Sequence, residues 1–243
     1  MALKQNYAMP LEYNITKKLK SQNVDFVRFV SINHLHISQY RDYPNAIIFG
    51  ISLSPEYIQE VINIPDYVQQ RINNNFDDDD DELFMNEKKC DQLSDDIAAF
   101  LISKGYKAYS QSDKNQITAG NFDESNIKTL LPHKTIALMA GLGWIGKNNL
   151  LVTPEYGSGL CIGTVLTDAP LTTVVYDIMP SRCGNCNICK NVCQPNALKG
   201  HLWNNKTQRE DMINIQDCTT CIKCLVLCPW TKAYMKKNMK RSI

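Results

Sequence analysis

Two runs of four cysteines constrain this chain more than any other feature of its sequence. The first run reads CGNCNICKNVC from Cys183 to Cys193, and the second reads CTTCIKCLVLCP from Cys218 to Pro229. Both contain the spacing C-x2-C-x2-C-x3-C, which is typical of chains that bind two [4Fe–4S] clusters through cysteine thiolates. The two runs therefore predict an iron–sulfur protein.

The spacing also predicts which cysteines share a cluster. The first three cysteines of a run surround one cluster, whereas the fourth lies too far along the chain and ligates the other cluster. We therefore expect one cluster on Cys183, Cys186, Cys189 and Cys228, and the second on Cys218, Cys221, Cys224 and Cys193.

Two zinc sites or a disulfide framework are the alternative interpretations of these cysteines. Zinc sites usually have a longer spacer between two C-x2-C pairs. Disulfides need an oxidising compartment, and the first ten residues, MALKQNYAMP, lack the apolar segment of an export signal. No apolar run approaches the 18 residues that would suggest a membrane span. We expect a cytoplasmic protein whose thiols are available to iron.

Charge is distributed unevenly along the chain, although the formal net charge is only +1. Residues 182–243 contain 11 Lys and Arg against 3 Asp and Glu, so the residues before them are acidic on balance. A basic end could indicate nucleic acid. We favour a simpler explanation, because clusters with four thiolates are negatively charged and nearby cations balance that charge.

Apolar periodicity and turn residues predict an α+β fold in two parts. We expect an α+β core over residues 1–178 and a ferredoxin-like module with two clusters over residues 179–243. The predicted helices cover residues 11–22, 83–104, 134–142 and 229–243, with a further helix that starts after Ser54. The predicted strands cover residues 24–31, 46–53, 106–110, 160–167 and 174–177, while residues 73–82 and 112–124 are predicted as polar loops.

A glycine-rich segment, GLGWIGK, spans residues 141–147. It matches the dinucleotide-binding pattern G-x-G-x-x-G by letter, and Asp168 lies at a suitable distance downstream. That pattern should follow a strand, whereas residues 135–140 predict a helix, so we do not expect a Rossmann site. Glycines without Cβ atoms could instead let the backbone approach a large flat ligand, and Lys147 could contact a phosphate.

Residues 140–151, the following PEYGS at 154–158, LTD at 166–168 and the double cysteine motif together resemble the epoxyqueuosine reductase family, relatives of the reductive dehalogenases. The chain resembles a short, divergent branch of that family. The resemblance implies a nitroreductase-like core, a packed ferredoxin module and a cobalamin between them that receives electrons from the clusters. The positions implied to line the corrinoid pocket are Gly141, Gly143, Gly146 and Lys147, followed by Thr153 and Ser158.

The chain departs from this family's pattern just before the glycines. The family has an Asp-Thr-x-Pro segment whose aspartate donates a proton, and this chain has LPHKT at residues 131–135 instead. His133 is the substitute proton donor that we predict, and a helix-capping histidine is the alternative. Asp123, the nearest upstream aspartate, is a weaker candidate. Because the aspartate motif is missing and there is no broad basic field, tRNA is not an expected substrate.

Five other residues have competing interpretations. Cys161 could be an axial ligand or a reactive thiol, but its apolar neighbours favour a small core residue. Trp144 and Trp230 are expected to pack between the core and the module. His34, with His36 two residues on, could suggest a metal site, but no third ligand is near in the sequence, and we expect loop histidines.

These observations favour an oxidoreductase. In this hypothesis reduced ferredoxin or flavodoxin supplies electrons, two [4Fe–4S] clusters transfer them, and a bound corrinoid acts on an unidentified small molecule. The alternatives are a reductase that uses FMN on the same core, an electron carrier that reduces a partner's cofactor, and a regulatory cluster sensor. About 60 residues suffice for a two-cluster module, and the large preceding core favours a ligand pocket.

Overall fold

The residues that this computed structural model describes, 10–74 and 80–239, form both helices and strands. The helices are α1 (Leu11–Lys20), α2 (Ile37–Tyr40), α3 (Pro55–Asn63), α4 (Tyr67–Asn73), α5 (Glu82–Ser103), α6 (Asp113–Thr118), α7 (His133–Met139), α8 (Ile188–Asn191), α9 (Arg209–Met212), α10 (Lys223–Val226) and α11 (Pro229–Met239). The strands are β1 (Phe26–Ser31), β2 (Asn45–Ser52), β3 (Ala108–Ser110), β4 (Phe122–Asp123), β5 (Lys128–Thr129), β6 (Trp144–Ile145), β7 (Leu151–Val152) and β8 (Leu160–Thr167). The α+β prediction is confirmed.

A four-stranded antiparallel sheet in the order β1-β2-β8-β3 forms the centre of the fold. Successive side chains of a strand point to opposite faces of the sheet. In β2, Ile47 and Phe49 therefore join one apolar core with α1, α3 and α5, whereas Ala46 and Ile48 join a second core with α7. Both faces of the sheet are covered, which explains why the β2 sequence is an almost uninterrupted apolar run.

The 22-residue helix α5 packs along β8 and β3. Its buried side chains, Leu93, Ile97 and Leu101 among them, recur at helical spacing on one face. Gly105 follows the helix with a φ of +87°, the left-handed conformation in which a glycine commonly terminates a helix. The predicted helix at residues 83–104 is therefore confirmed within one residue at each end.

Asp81 is the buried cap of α5. It is 2% exposed, and its carboxylate accepts hydrogen bonds from the backbone N–H groups of Leu83 (3.0 Å) and Phe84 (3.3 Å). It also accepts from the hydroxyls of Tyr57 (3.0 Å) and Tyr67 (3.1 Å) and lies 3.4 Å from Arg71 Nε. The prediction of a solvated acidic loop is wrong at this residue, because five donors replace water around it. Residues 75–79 of that run lie outside the described ranges.

Two further sequence predictions are wrong. Residues 112–124, predicted as a loop, contain α6 and β4; Gln116 of α6 is buried, and its carbonyl accepts a bond from the Asn121 N–H (2.9 Å). Residues 174–177, predicted as a strand, form none. Val174 N donates to Phe29 O (3.2 Å) and Tyr176 N donates to Met139 O (2.9 Å), so the segment bonds to two different elements rather than to one strand ladder.

The cysteine-rich end packs directly on the core. Helices α10 and α11 contact α3, and Leu225, Val226 and Met235 join the same apolar core as α1 and α5. Lys223 lies between Cys221 and Cys224, and its Nζ donates to the carbonyls of Val61 and Ile64 at the end of α3, both at 2.6 Å. A cation at the C-terminal end of a helix is favourable because the last carbonyls are unpaired and partially negative.

No helix in the described ranges is long and apolar enough to cross a membrane. A boundary between two domains at residues 178 and 179 stays a prediction.

Candidate functional site

Four cysteines from both sequence runs surround one cavity of about 100 Å³. They are Cys183, Cys186, Cys189 and Cys228, the four that the spacing predicts for one cluster. The rest of the wall consists of Lys147, Asn148, Val152, Arg182, Pro229 and Trp230. The first run and the last cysteine of the second run are therefore brought together at one place.

Local structure sets the directions of these thiols. The N–H of Cys186 donates to the carbonyl of Cys183 (3.0 Å) in a tight turn, in which Gly184 has a φ of +49°. Cys189 lies in the first turn of α8, where it is buried. Cys228 follows α10 and precedes the first residue of α11, Pro229, which has no backbone N–H to leave unpaired at a helix start.

The other four cysteines are also close together. Cys193, Cys218 and Cys224 pack around Ala197, Leu198 and Ile213 in one small apolar cluster with Cys189. Burial, and after it the charges of neighbouring cysteines such as Cys221, Cys218 and Cys193, raise the pKa of Cys224 to about 12. Because thiolates are costly at such a site, they would need the positive charge of bound iron to form at neutral pH.

The described cysteines are not arranged as a site for a single metal ion. No group of three or more His, Cys, Asp or Glu in the described ranges is spaced to hold a single metal ion. Four thiolates around one zinc ion lie within 2.3 Å of it, whereas four thiolates at the corners of a cubane are farther apart.

One unpaired buried donor lies beside the first cavity. Trp144 is fully buried and packs with Cys183 and Cys228, and its ring lies 4.9 Å from that of Trp230. Its indole Nε1 has no hydrogen-bond partner in the described part of the chain. A buried N–H without a partner is costly, and a cluster sulfur would be a suitable acceptor. The two tryptophans pack where core and cysteine-rich end meet, as expected.

The glycine segment follows helix α7 and leads into the hairpin of β6 and β7. Its context is therefore not that of a dinucleotide-binding loop, as predicted. A Cβ on Gly141 would lie 2.7 Å from the ring of Tyr176, and one on Gly143 would overlap the carbonyl oxygen of Val152. A Cβ on Gly146 would lie 2.5 Å from the side chain of Asn148. These glycines allow close approach of the chain to itself.

Replacing Gly143 with alanine is expected to destabilise the protein by about 3 kcal/mol, because the new methyl group meets a backbone carbonyl that cannot move aside easily. Gly159 provides the matched control, since a Cβ there would meet only ordinary contacts at 3.4 Å and beyond. Gly159→Ala should change stability by less than about 1 kcal/mol. Urea unfolding curves of both variants test this, and equal midpoints would contradict it.

The turn of the β6–β7 hairpin connects the core to both sets of cysteines. Lys147 is 6% exposed, lines the first cavity, and donates from Nζ to Asn187 Oδ1 at 3.0 Å. Asn148 donates from Nδ2 to Ser158 Oγ (3.1 Å) and to the carbonyl of Cys224 (3.3 Å). Lys147 is thus placed beside cysteines, and its predicted place in a corrinoid pocket stays a prediction.

Thr153 and Ser158 are buried and bonded within the chain. Thr153 exchanges two backbone hydrogen bonds with Gly157, at 2.8 and 3.0 Å. The N–H of Ser158 donates to Thr231 Oγ1 of α11 at 2.9 Å. Neither residue lines the cysteine cavity, and their cofactor role stays a prediction.

His133 is the first residue of α7, and its Nδ1 lies 2.7 Å from Thr164 Oγ1. Thr164 donates to Gln111 Oε1 (2.7 Å), and Gln111 donates to the carbonyl of Leu131 (2.8 Å). Since the threonine proton is directed to Gln111, His133 must donate from Nδ1, which leaves Nε2 as an acceptor. Burial lowers the pKa of His133 to about 4, so its ring is neutral at pH 7. A catalytic role for it stays a prediction, and this protonation state suits a base better than an acid.

Asp123 lies in the short strand β4, where its side chain is occupied by a turn. It accepts hydrogen bonds from the backbone N–H (3.1 Å) and the Nδ2 (2.7 Å) of Asn126. These bonds hold the pKa of Asp123 below its ordinary value. The weaker proposal that Asp123 is catalytic also stays a prediction.

Cys161 and Cys90 lie in the apolar core between β8 and α5, away from the cysteine cavity. Burial raises the pKa of both thiols, that of Cys90 to about 12, which makes them poor nucleophiles. The expectation of a small core residue at Cys161 is confirmed. His36 accepts a hydrogen bond from the Ser38 N–H and caps α2, and His34 is exposed beside it.

Sequence reasoning missed Asn148, Asn187 and Arg182 at the site. Asn148 follows Lys147, a predicted pocket residue, and Asn187 lies between the predicted ligands Cys186 and Cys189. The sequence therefore pointed to the neighbourhood of both asparagines. Which polar atom each one contacts depends on how the hairpin meets the cysteine loop, and the sequence does not contain that geometry.

No protein-family model matches the chain. Epoxyqueuosine reductase from Listeria monocytogenes is 33% identical over 118 residues, a match that covers 41% of this chain and 29% of that relative. The chain is related to the epoxyqueuosine reductases. Other curated proteins of this name also match, and the chain spans well under half the length of these relatives, for example 20% and 40% of those from Gloeobacter violaceus and Pseudomonas aeruginosa.

Solved structures show the same fold. A crystal structure of epoxyqueuosine reductase with a tRNA-Tyr epoxyqueuosine-modified stem loop superposes with a TM-score of 0.57 at 16% identity, and covers 92% of this chain and 66% of that chain. A catabolic reductive dehalogenase gives a TM-score of 0.62 at 18% identity. The match covers 91% of this chain and 32% of that chain. Another reductive dehalogenase structure, which bears on the mechanism of B12-dependent dehalogenation, gives a TM-score of 0.54 at 18% identity and covers 81% of this chain and 27% of that chain.

Proposed function

We propose that this protein is an iron–sulfur oxidoreductase that transfers electrons through two [4Fe–4S] clusters. The observation that carries the proposal is the cavity formed by Cys183, Cys186, Cys189 and Cys228, in which the last cysteine of the second run joins the first three of the first run. The spacing rule for two-cluster proteins demands this exchange. The relationship to the epoxyqueuosine reductases supports the same chemistry.

When bound, the clusters would supply one-electron redox chemistry, and the residues of the chain would hold and shield them. Four thiols in each set would coordinate iron, Trp144 Nε1 would donate to sulfur, and Val152, Pro229 and Trp230 would exclude water from the first site. Solvent exposure and hydrogen bonds to sulfur are among the factors that set cluster potentials.

The finer features of the proposal rest on the family resemblance. They are a nitroreductase-like core over residues 1–178, a ferredoxin-like module over residues 179–243, a reduced ferredoxin or flavodoxin as electron donor, and a cytoplasmic location. The likeness of the fold to both enzyme classes supports the first two features.

A corrinoid acceptor is supported by the fold that the chain shares with a B12-dependent reductive dehalogenase. The residues that the resemblance assigns to the corrinoid pocket do not fit a corrin ring in this structure. Gly141 packs against Tyr176, Gly143 against Val152, and Lys147 faces the cysteine cavity. A ring at Gly141 would need the Tyr176 segment to move, so no reaction step is derived through a corrinoid.

The test uses protein purified without oxygen and reconstituted with iron and sulfide. We expect about eight irons and eight sulfides per chain, and about one zinc per four cysteines without sulfide would overturn the proposal. Titration with cob(II)alamin follows, monitored by the cobalt EPR spectrum. A saturable change to a base-off signal would support the corrinoid acceptor.

An unchanged cobalt spectrum in a chain with eight irons would remove the corrinoid and keep the electron-transfer function. FMN binding, measured by quenching of flavin fluorescence, would then identify a flavin reductase, and its absence would favour an electron carrier. Binding of an epoxyqueuosine-modified tRNA stem loop, the ligand of the solved relative, would contradict our expectation that tRNA is not the substrate.

A further inference from the structure

Lys147 places a buried positive charge at the wall of the first cysteine cavity. Its side chain is 6% exposed, and its Nζ donates to Asn187 Oδ1 at 3.0 Å. Asn187 lies in the loop between Cys186 and Cys189. The ammonium group therefore contacts the segment that carries two of the four predicted cluster ligands.

This charge has no carboxylate to balance it within the described residues. The cavity wall contains no Asp or Glu, and no ion pair of the described chain involves Lys147. A neutral amide oxygen is a weak partner for a buried ammonium group, which normally needs an opposite charge. A negatively charged group inside the cavity would satisfy that need.

We infer that Lys147 is the buried counter-charge of the cluster held by Cys183, Cys186, Cys189 and Cys228, beside the exposed Arg182 of the same wall, and that it raises the reduction potential of this cluster. The inference rests on the proposed function, because it requires the cluster. Reduction adds one electron to the cluster, breaks no bond and moves no proton, so the reduced state is one charge more negative. A fixed cation at short range stabilises the more negative state, and burial strengthens this effect because water screens it little.

A consequence is a difference between the two clusters. The Lys147 charge faces the first cavity, whereas the second set of cysteines meets the same turn through the neutral Asn148, whose Nδ2 donates to the carbonyl of Cys224. Electrons move spontaneously toward the higher potential. The contribution of Lys147 therefore favours transfer from the second cluster to the first, whereas Lys223, between Cys221 and Cys224, directs its Nζ to the carbonyls of Val61 and Ile64.

The experiment measures both reduction potentials by redox titration under argon, monitored by EPR, in reconstituted full-length protein. The variants are Lys147→Met, Lys147→Gln and Lys147→Arg. Lys190→Gln is the matched control, because Lys190 is exposed, lies in α8 next to Cys189 and does not line the cavity. It removes the same charge from a position that water screens.

We expect one of the two midpoint potentials to fall in Lys147→Met and Lys147→Gln and to change little in Lys147→Arg and Lys190→Gln. The midpoint that falls should belong to the signal that disappears in Cys228→Ala. Unchanged potentials in both neutral variants, with about eight irons bound, would overturn the inference while leaving the proposed function intact. An equal fall in Lys190→Gln would also overturn it, because only the net charge would then matter.

The iron content of the Lys147 variants also tests the inference. If both neutral variants bind about four irons fewer while Lys147→Arg binds all eight, the charge holds the cluster, which supports the counter-charge. If Lys147→Arg loses the same irons, the lysine has only a structural role and the inference fails. A wild-type chain without iron and sulfide would overturn the proposed function together with the inference.

Discussion

Replacing Cys228 with alanine is expected to remove about four of eight irons, and the cluster lost should be the one predicted for the first run. The reason is the shared cavity, in which Cys228 joins Cys183, Cys186 and Cys189 although about 40 residues separate it from them. Cys193→Ala should also remove about four irons, but it should keep the EPR signal that Cys228→Ala loses and lose the one that Cys228→Ala keeps. Iron and sulfide analysis and low-temperature EPR of the dithionite-reduced variants measure both effects.

Double variants separate this arrangement from one in which each run holds its own cluster. With exchanged ligands, Cys183→Ala added to Cys228→Ala damages the same cluster twice, so about four irons should remain. Cys221→Ala added to Cys228→Ala damages both clusters and should leave almost none. Almost no iron in the first double variant and about four irons in the second would show instead that each run holds its own cluster. Cys90→Ala is the control and should retain all the iron, because this thiol lies in the α5 core.

Replacing Asp81 with alanine is expected to lower the free energy of unfolding by about 3–5 kcal/mol, the usual cost of breaking a buried ion pair. The carboxylate accepts from the hydroxyls of Tyr57 and Tyr67 and caps α5 through two backbone N–H groups. Its removal would leave several buried donors without acceptors at once. Urea unfolding at constant iron content, with the slope compared between variants, measures the change.

The matched control for this prediction is Asp80→Ala. Asp80 is adjacent to Asp81 but exposed, and substitutions of exposed charges usually change stability by less than about 0.5 kcal/mol. The loss of unfolding free energy in Asp81→Asn should lie between those of Asp80→Ala and Asp81→Ala, because an amide retains one acceptor oxygen but not the charge. Equal unfolding midpoints for Asp80→Ala and Asp81→Ala would show that the buried network contributes little.

Local patterns in the sequence predicted most of the sheet, and they predicted a set of four cysteines that does line one cavity. The cysteine spacing is a local property that already specifies which thiols can reach one cubane. The apolar run of β2 and the helical repeat of α5 are equally local, and both were located within about one residue. The positions of β2 and α5 follow from the pattern of apolar side chains that each element buries, and this pattern is visible in the local sequence.

The contacts of the glycine segment, residues 141–147, could not be predicted from local patterns. A glycine is required wherever backbone approaches closely, but the sequence does not say whether a ligand or the chain itself approaches. Gly143 meets Val152 across the β6–β7 hairpin, and Gly141 meets Tyr176, which is 35 residues away in the chain. Lys147 likewise faces cysteines more than 30 residues further on. Such contacts are decided by tertiary packing, so a resemblance could suggest a pocket that the side chains do not form.

Lys223 ties the second set of cysteines to the core. Its ammonium group binds the last carbonyls of α3, and it lies in the loop between Cys221 and Cys224. That contact exists only where α3 is folded, so the positions of these two thiols depend on a helix more than 150 residues earlier in the chain. A substitution that loosens the end of α3 would therefore disturb the second set of cysteines without touching a thiol.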